Sequence, residues 1–344
     1  MTSGSLRIAI DAMGGDLGPA EVVRGVVQAA QLRNGSTTLI LVGDETIIRA
    51  ELARLKSVPP EVRVRHASQT IEMTDKPREA YRRKPDASVV VSARLVKEGE
   101  ADAFISIGNT GAAMAAAIFH LRPIVGIDRP AIAVTLPSAT GMVVLLDVGA
   151  NVDCVPRQIL EFALMGEIYS RKVLGVAQPK IGLLSNGEEE SKGNELTRAS
   201  HQLLRQHLPG FIGNVEGRDI FRGQADVVVC DGFDGNIVLK TGEGVAELVM
   251  GMVKEELSRY KWMRLFLLPL RKGLMDLRAR LDYRAFGGAP LLGVNGVCII
   301  GHGRSDAHAI VNAIRVAETA VTNNLVRTIE LAVQEHRVTN DVQV

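Results

Sequence analysis

LRIAIDAMGGDLGPAEVVRGVVQAA, residues 6–30, decides the fold. Leu6–Ile10 is a short apolar run that reads as a buried strand, and Asp11–Gly18 is a glycine-rich loop. Pro19 stands in a first helical turn, where its missing N–H is tolerated. Val22, Val23, Val26, Val27 and Ala30 then recur at helical spacing. Strand, glycine loop and amphipathic helix form the repeating unit of a parallel α/β sheet. A glycine at a strand end lets backbone N–H groups approach an anion, and the helix that follows turns its positive end to the same place.

The unit recurs along the chain. Thr38–Val42 is a second strand, Asp44 caps the next helix and Val62–Arg65 is a third strand. A helix over Ser88–Glu98, a strand over Ala103–Ile107 and a helix over Thr110–Leu121 follow. Ala131–Leu136 and Met142–Leu146 are strands joined by the turn Pro137–Gly141, short enough for a hairpin. Strands near Ile181, Val227 and Val297 each lead into a glycine loop and a helical pattern. Six further loops carry the signal: SIGNTG (106–111), DVGANVD (147–153), SNGEEESKGN (185–194), DGFDGN (231–236), FGGAP (286–290) and GHGRSD (301–306). The pattern predicts a three-layer α/β/α fold with a mostly parallel twisted sheet and one antiparallel excursion. Ligands in such sheets bind beyond the carboxyl ends of the strands, so loops gathered at one edge would line a cleft. Residues 1–344 read as a single α/β/α domain. Residues 243–285, a helical stretch broken at Pro269 and Gly273, read as a protruding helical hairpin.

Composition narrows the function. A chain of 344 residues that is 46% hydrophobic can bury a large core, and its net charge of +1 gives no global field for nucleic acid. Cys154, Cys230 and Cys298 are widely spaced and outside any C-x-x-C pattern, which suits core thiols in a reducing cytoplasm. No basic segment followed by an apolar stretch opens the sequence and no run of eighteen apolar residues occurs, so a cytoplasmic location is expected. Familiar phosphate and hydrolase motifs fail letter by letter. Gly187–Lys192 lacks the Walker A order, and Gly301-His-Gly303-Arg-Ser-Asp306 puts Asp where a dinucleotide fingerprint needs its third glycine. Neither a G-x-S-x-G elbow nor an H-E-x-x-H pair occurs. No metal and no cofactor are expected.

Polar residues beside the glycines remain as candidates. Asn109 and Thr110, next to Gly111, offer an amide and a hydroxyl at a helix start, where N-capping and ligand contact both fit. Lys192 and Asn194 precede another helix, and a lysine there opposes the helix's positive end unless an anion lies between them. Asn236 reads as a turn residue or a donor to substrate, and His302 as a turn histidine or a general base. Asp11 and Asp16 flank Gly14 and Gly15, either orienting the loop or doing acid–base chemistry. Glu188, Glu189 and Glu190 read as a solvated acidic helix start or as cation ligands.

IDAMGGDLGP (10–19), SIGNTGA (106–112), LLDVGANVDC (145–154), EEESKGNEL (188–196), DGFDGNIVLK (231–240) and DYRAFGGAPLLGVNG (282–296) together resemble the bacterial phosphate acyltransferase (PlsX) family. The similarity runs from Leu6 to about Ala320. It implies transfer of a long-chain acyl group from acyl carrier protein to inorganic phosphate, giving acyl phosphate for phospholipid synthesis. It also implies a homodimer with a fold like that of phosphotransacetylases and isocitrate dehydrogenases. The implied setting is the inner face of the cell membrane, beside a membrane glycerol 3-phosphate acyltransferase. Lys192 matches the family's lysine and would hold phosphate or the oxyanion, and Asn236 would donate a hydrogen bond to the same intermediate. Asn109 and Thr110, with the amides of Gly14, Gly15 and Gly111, are candidates for cradling phosphate. His302 would protonate the leaving thiolate. Phosphate is itself a nucleophile, so direct attack needs no acyl-enzyme.

The hairpin carries a separate signal. Between Arg259 and Arg284 eight basic residues face two acidic ones, a net +6 in a chain of +1, interleaved with Trp262, Phe266, Leu267 and many leucines. One reading is dimer packing with solvated arginines. The other is contact of Trp262, Phe266 and Leu267 with an anionic membrane surface. Two other functions fit the same chain: a phosphotransacetylase-like or dehydrogenase-like enzyme of this fold, or a non-catalytic scaffold at the membrane.

Overall fold

The computed structural model describes residues 5–33, 35–259 and 287–341. In chain order the elements are β1 (Leu6–Asp11), α1 (Pro19–Arg33), β2 (Thr37–Gly43), α2 (Glu45–Ala53), β3 (Val62–His66), α3 (Pro77–Arg83), α4 (Ser88–Lys97), β4 (Ala103–Ser106), α5 (Thr110–Leu121), β5 (Ala131–Ser138) and β6 (Gly141–Leu146). Then come α6 (Pro156–Val173), β7 (Ile181–Leu184), α7 (Glu195–His207), β8 (Phe211–Val215), α8 (Gly217–Arg222), β9 (Val227–Val229), α9 (Gly232–Arg259), β10 (Ala289–Leu292), β11 (Val297–Ile300), α10 (Ala307–Thr322) and α11 (Leu325–Asp341).

The strands form one eleven-stranded sheet in the order β3-β2-β1-β4-β11-β10-β5-β6-β9-β7-β8. Successive strand residues point to opposite faces, and both faces are apolar. Ile8, Ile10, Ala103, Ile105, Val144, Leu146, Val227 and Val229 face a core built with α1, α6, α10 and α11. Ala9, Phe104, Val143, Leu145, Val228 and Cys298 face the opposite core, with α4 and α5. The three layers and the mostly parallel pairing match the sequence expectation.

The direction of the strands is where the structure adds something. β1, β2, β3, β4 and β11 are mutually parallel. β10 is antiparallel to β11 and to β5, and β5 is antiparallel to β6. β6, β9, β7 and β8 are parallel to one another. Three reversals separate the two blocks, so the second block runs against the first. Loops leaving the carboxyl ends of the first block therefore exit one edge of the sheet, and those of the second block exit the other. The cleft with all glycine loops at one edge does not form within this sheet. The expected 131–146 hairpin is present, but β10 is an additional antiparallel strand. Its four residues, Ala289–Leu292, are too short to show a period.

α9 begins at Gly232 and is continuous to Arg259, so Glu243, where the hairpin was expected to start, lies inside a helix already under way. The remainder of that stretch, with Trp262, Phe266 and Leu267, lies outside the described residues.

Candidate functional site

The first edge is built by neighbouring strands. β1, β4 and β11 end at Asp11, Ser106 and Ile300, and their loops meet. The Asp16 amide donates to the Gly303 carbonyl at 2.7 Å, and the Gly301 amide donates to the Ser106 carbonyl at 2.8 Å. A side chain at Gly14 would put its Cβ 2.8 Å from the Gly108 nitrogen, so only glycine allows the two loops to touch. Gly15 adopts φ +91°, the left-handed region, with Ile107 and the Gly303 carbonyl closing over it. The N-termini of α1, α5 and α10 all start from these loops.

The polar candidates here mostly have structural partners. Asp11 is buried, and its Oδ2 accepts from Ser106 Oγ at 2.8 Å while Oδ1 accepts from the Met13 amide at 3.2 Å. Burial raises its carboxyl above the ordinary range, against the opposing pull of hydrogen bonds from Ser88, Ser106, Met13 and Gly14. These are the contacts of a tie between β1 and β4. Asn109 is the N-cap of α5, with Oδ1 accepting from the Ala112 amide at 3.1 Å. Its Nδ2 donates to the carbonyls of Glu72, Met73 and Asp75 at 3.2, 3.3 and 3.0 Å. Both ends of that amide are thus engaged, and what they hold is the 72–75 loop. Thr110 is exposed at the first position of α5, and Gly111 packs on Pro77, whose Cγ would be 2.5 Å from a Cβ there. The Asp16 carboxylate is exposed and lies over Gly303. His302 is exposed, and its Nδ1 accepts from the Arg304 amide at 3.2 Å.

The second edge is organised by Asp147, directly after β6. This side chain is fully buried. Its Oδ1 accepts from the amides of Ile132 at 3.0 Å and Ala150 at 3.2 Å. Its Oδ2 accepts from the Asn151 amide at 2.7 Å and from Asn151 Nδ2 at 3.0 Å. Desolvation raises the carboxyl although all four bonds oppose it. Asp147 thereby fixes the start of β5 and the 149–151 loop, and the Asn151 carbonyl in turn accepts the Gly232 amide at 2.7 Å. Gly235 packs so closely that a Cβ would lie 1.8 Å from the Asp147 carbonyl oxygen. The first turn of α9 is therefore pressed onto the end of β6.

Asn236 follows on that helix, exposed, with Gly149 beside it: a Cβ at Gly149 would be 3.8 Å from Asn236 Cβ. β9 and β7 are adjacent, so the loop carrying Lys192 leaves the same edge as Asn236. Lys192 is exposed, its methylenes running along Gly187, where a Cβ would meet Lys192 Cγ at 2.8 Å. Gly193 adopts φ +91° and its amide donates to Asn186 Oδ1 at 2.8 Å. Asn194 is the N-cap of α7, accepting from the Thr197 amide at 2.8 Å. Glu190 pairs with Arg205, and no cluster of metal-ligating side chains occurs among the described residues.

Cys154 and Cys230 flank this edge. Burial, reinforced by Asp147 and Asp231, pushes the Cys154 thiol up to about 12. Cys230 is raised well above its ordinary value by the same causes. Both stay protonated near neutral pH, and a thiol is a poor nucleophile beside a thiolate.

The candidates thus divide. Asp11, Gly14, Gly15, Asp16, Asn109, Thr110, Gly111 and His302 gather at the first edge, and Lys192, Asn194 and Asn236 at the second. Asp147, Asn151 and Ser106 were missed. The signal for Asp147 was available, since DVGAN repeats the strand–Asp–glycine order of IDAMGG.

The fold places the chain in a known structural class. It superposes on a phosphotransacetylase from Streptococcus pyogenes with a TM-score of 0.62 at 18% identity, covering 93% of this chain and 95% of that one. A branched-chain phosphotransacylase from Enterococcus faecalis V583 gives 0.54 at 16% identity, with 92% and 99% covered. At such identities the likeness concerns the fold. The sequence goes further: the model of the fatty acid synthesis protein family matches residues 6–328. A phosphate acyltransferase of Pelotomaculum thermopropionicum is 50% identical over 329 residues, 96% of this chain and 95% of that protein. One of Geobacter sulfurreducens is 50% identical over 316 residues, covering 92% and 91%. The chain belongs to this phosphate acyltransferase family, and acyl transfer to phosphate is the activity its membership supports.

Proposed function

We propose that the protein moves a long-chain acyl group from acyl carrier protein to inorganic phosphate, releasing acyl phosphate and free carrier protein. One observation carries the catalytic assignment. Asn109 and Asn194 are engaged as helix caps, whereas Lys192, on the loop after β7, and Asn236, in α9 just after the adjacent β9, stand exposed at one edge. The Lys192 ammonium has no carboxylate within 4.0 Å among the described residues. A cation free of ion pairing at the N-terminus of α7 is complementary to an anion placed between them. In this reading a phosphate oxygen attacks the thioester carbonyl carbon and Lys192 and Asn236 stabilise the tetrahedral oxyanion. The C–S bond then breaks and the carrier's thiolate leaves, taking a proton from solvent, since His302 stands at the opposite edge of the sheet from Lys192 and Asn236. The raised thiols of Cys154 and Cys230 support direct attack over an acyl-enzyme. Thr110 and the amides of Gly14, Gly15 and Gly111 stand at the first edge and take no part in this step.

The wider setting belongs to the same proposal: a cytoplasmic homodimer on the inner face of the membrane, handing acyl phosphate to a glycerol 3-phosphate acyltransferase. Its support is α9, which exposes Phe233, Ile237, Val245, Leu248, Val249 and Met252. Such a stripe suits burial against a second copy or lipid. The test of the reaction is thioester cleavage of palmitoyl-acyl carrier protein with and without phosphate. Palmitoyl phosphate should accumulate only with phosphate, and equal cleavage in its absence overturns the assignment.

A further inference from the structure

Lys192 lies on the loop between β7 and α7, and the bonds that hold this loop decide where its ammonium stands. Two of them bracket the lysine. On one side the Gly193 amide donates to Asn186 Oδ1 at 2.8 Å, an exposed bond for which water competes. On the other the Lys192 amide donates to the Glu189 carbonyl at 3.0 Å, and the same carbonyl accepts from Asn214 Nδ2 at 2.9 Å. Asn214 belongs to β8, the strand beside β7, where the register sets it opposite Leu183. It is only 7% exposed, and asparagine is a residue type found mostly at the surface. Its Oδ1 has no hydrogen-bond partner among the described residues, so the bond to Glu189 is what the buried amide contributes. A buried amide with one end unmatched is a cost to folding, and a leucine of the same branched shape would fill the position without it. The side chain therefore serves the loop more than the core.

We infer that Asn214 is a positioning residue for Lys192: it clamps the Glu189 carbonyl and thereby fixes the backbone from which the ammonium reaches substrate. The inference rests on the proposed role of Lys192 and names the group that holds that lysine in place. Asn214 touches no reacting atom in this account, and its effect passes through the lysine. Buried in the sheet, it offers the loop an anchor that solvent does not exchange. A shift of about 1 Å in a group that stabilises the transition state is enough to cost a large part of the rate.

The test is a double-mutant cycle on the turnover of palmitoyl-acyl carrier protein at saturating phosphate. Asn214→Leu and Asn214→Ala should each lower kcat by about tenfold or more, with KM for the acyl donor held within about twofold. The Glu189 carbonyl keeps the Lys192 amide in both, so the Leu variant should melt no lower than wild type. In a Lys192→Ala background the same changes should alter kcat by less than about twofold, because the group they position is gone. Folded Asn214 variants with wild-type kcat overturn the inference, as does an equal fall in both backgrounds. Loss of folding in both variants overturns it too, because Asn214 would then serve the fold. Lys192→Ala that keeps wild-type turnover fails the Lys192 reading, and the inference with it. Lys192→Ala that loses turnover while the Asn214 variants keep it overturns the inference alone.

Discussion

Replacing Asp147 separates a buried tie from a catalytic acid. Four donors converge on this carboxylate: the amides of Ile132, Ala150 and Asn151, and Asn151 Nδ2. The last also reaches the Pro130 carbonyl at 2.8 Å, so it keeps a partner when Asp147 changes. Asp147→Asn preserves shape and turns one oxygen into a donor. The least costly orientation puts the new NH2 in place of Oδ2, leaving the Asn151 amide unpaired and the new N–H groups facing donors, at about 1–3 kcal/mol for each buried group left unsatisfied. Removing a carboxylate whose ionisation is opposed by burial offsets part of that. Asp147→Ala orphans three amides. Ile132 is buried, whereas Ala150 and Asn151 are half-buried and recover water, so the cost comes to about 3–6 kcal/mol. That is a large share of the roughly 5–15 kcal/mol typical of a folded domain. Urea unfolding should therefore rank wild type, Asn and Ala in that order, with Asn retaining most activity at temperatures where it is folded. If Asp147→Asn matched wild type in urea while losing turnover by a hundredfold, the carboxylate would be acting on substrate and the structural account would be wrong.

Lys192→Ala should lower kcat by about a hundredfold, the scale of one lost oxyanion donor, and Asn236→Ala should act on the same step. Both side chains are exposed, so urea midpoints should barely move; near-normal turnover in both variants would displace the chemistry from the second edge. Gly235→Ala drives a Cβ to 1.8 Å from the Asp147 carbonyl and should destabilise the fold by at least about 2 kcal/mol, read in the same unfolding assay. Cys154→Ser should keep its activity, and Cys154 should react slowly with maleimide at pH 7 because its thiol is pushed up to about 12. The raised Asp11 carboxyl makes the folded state bind its proton more tightly than the unfolded state, whose value is near 3.8. Its contribution is therefore full below that value and is lost as pH rises through the higher folded value. The stability of Asp11→Asn relative to wild type should then increase from pH 3.5 toward neutrality, and a difference that shrinks would contradict the sign.

What could be read in the sequence depended on whether a signal was local. Strand, glycine loop and helix are written within some twenty-five residues, as in 6–30, so elements such as Thr110–Leu121 and the 131–146 hairpin came out nearly as found. Strand direction is not local. β10, antiparallel to both β11 and β5, leaves β5 running with the first block, and the β5–β6 hairpin then turns the second block around, which sends Lys192 and Asn236 to the opposite edge from Asp11 and His302. The polar candidates met a different limit. A residue that caps a helix and one that binds an anion at its N-terminus are drawn from the same few types, since both must present oxygen or nitrogen to the same unpaired amides. Asn109, Asn194 and Asn236 are therefore alike as letters beside glycine, and only their partners distinguish them. Asn109 and Asn194 bond amides of their own helices, whereas Asn236 lies past the first turn of α9, where no cap is needed. Lys192 could be singled out earlier because a cation is not a cap. Placed before α7, it opposes the helix's positive end, so the sequence alone already shows a position that local helix stability does not explain.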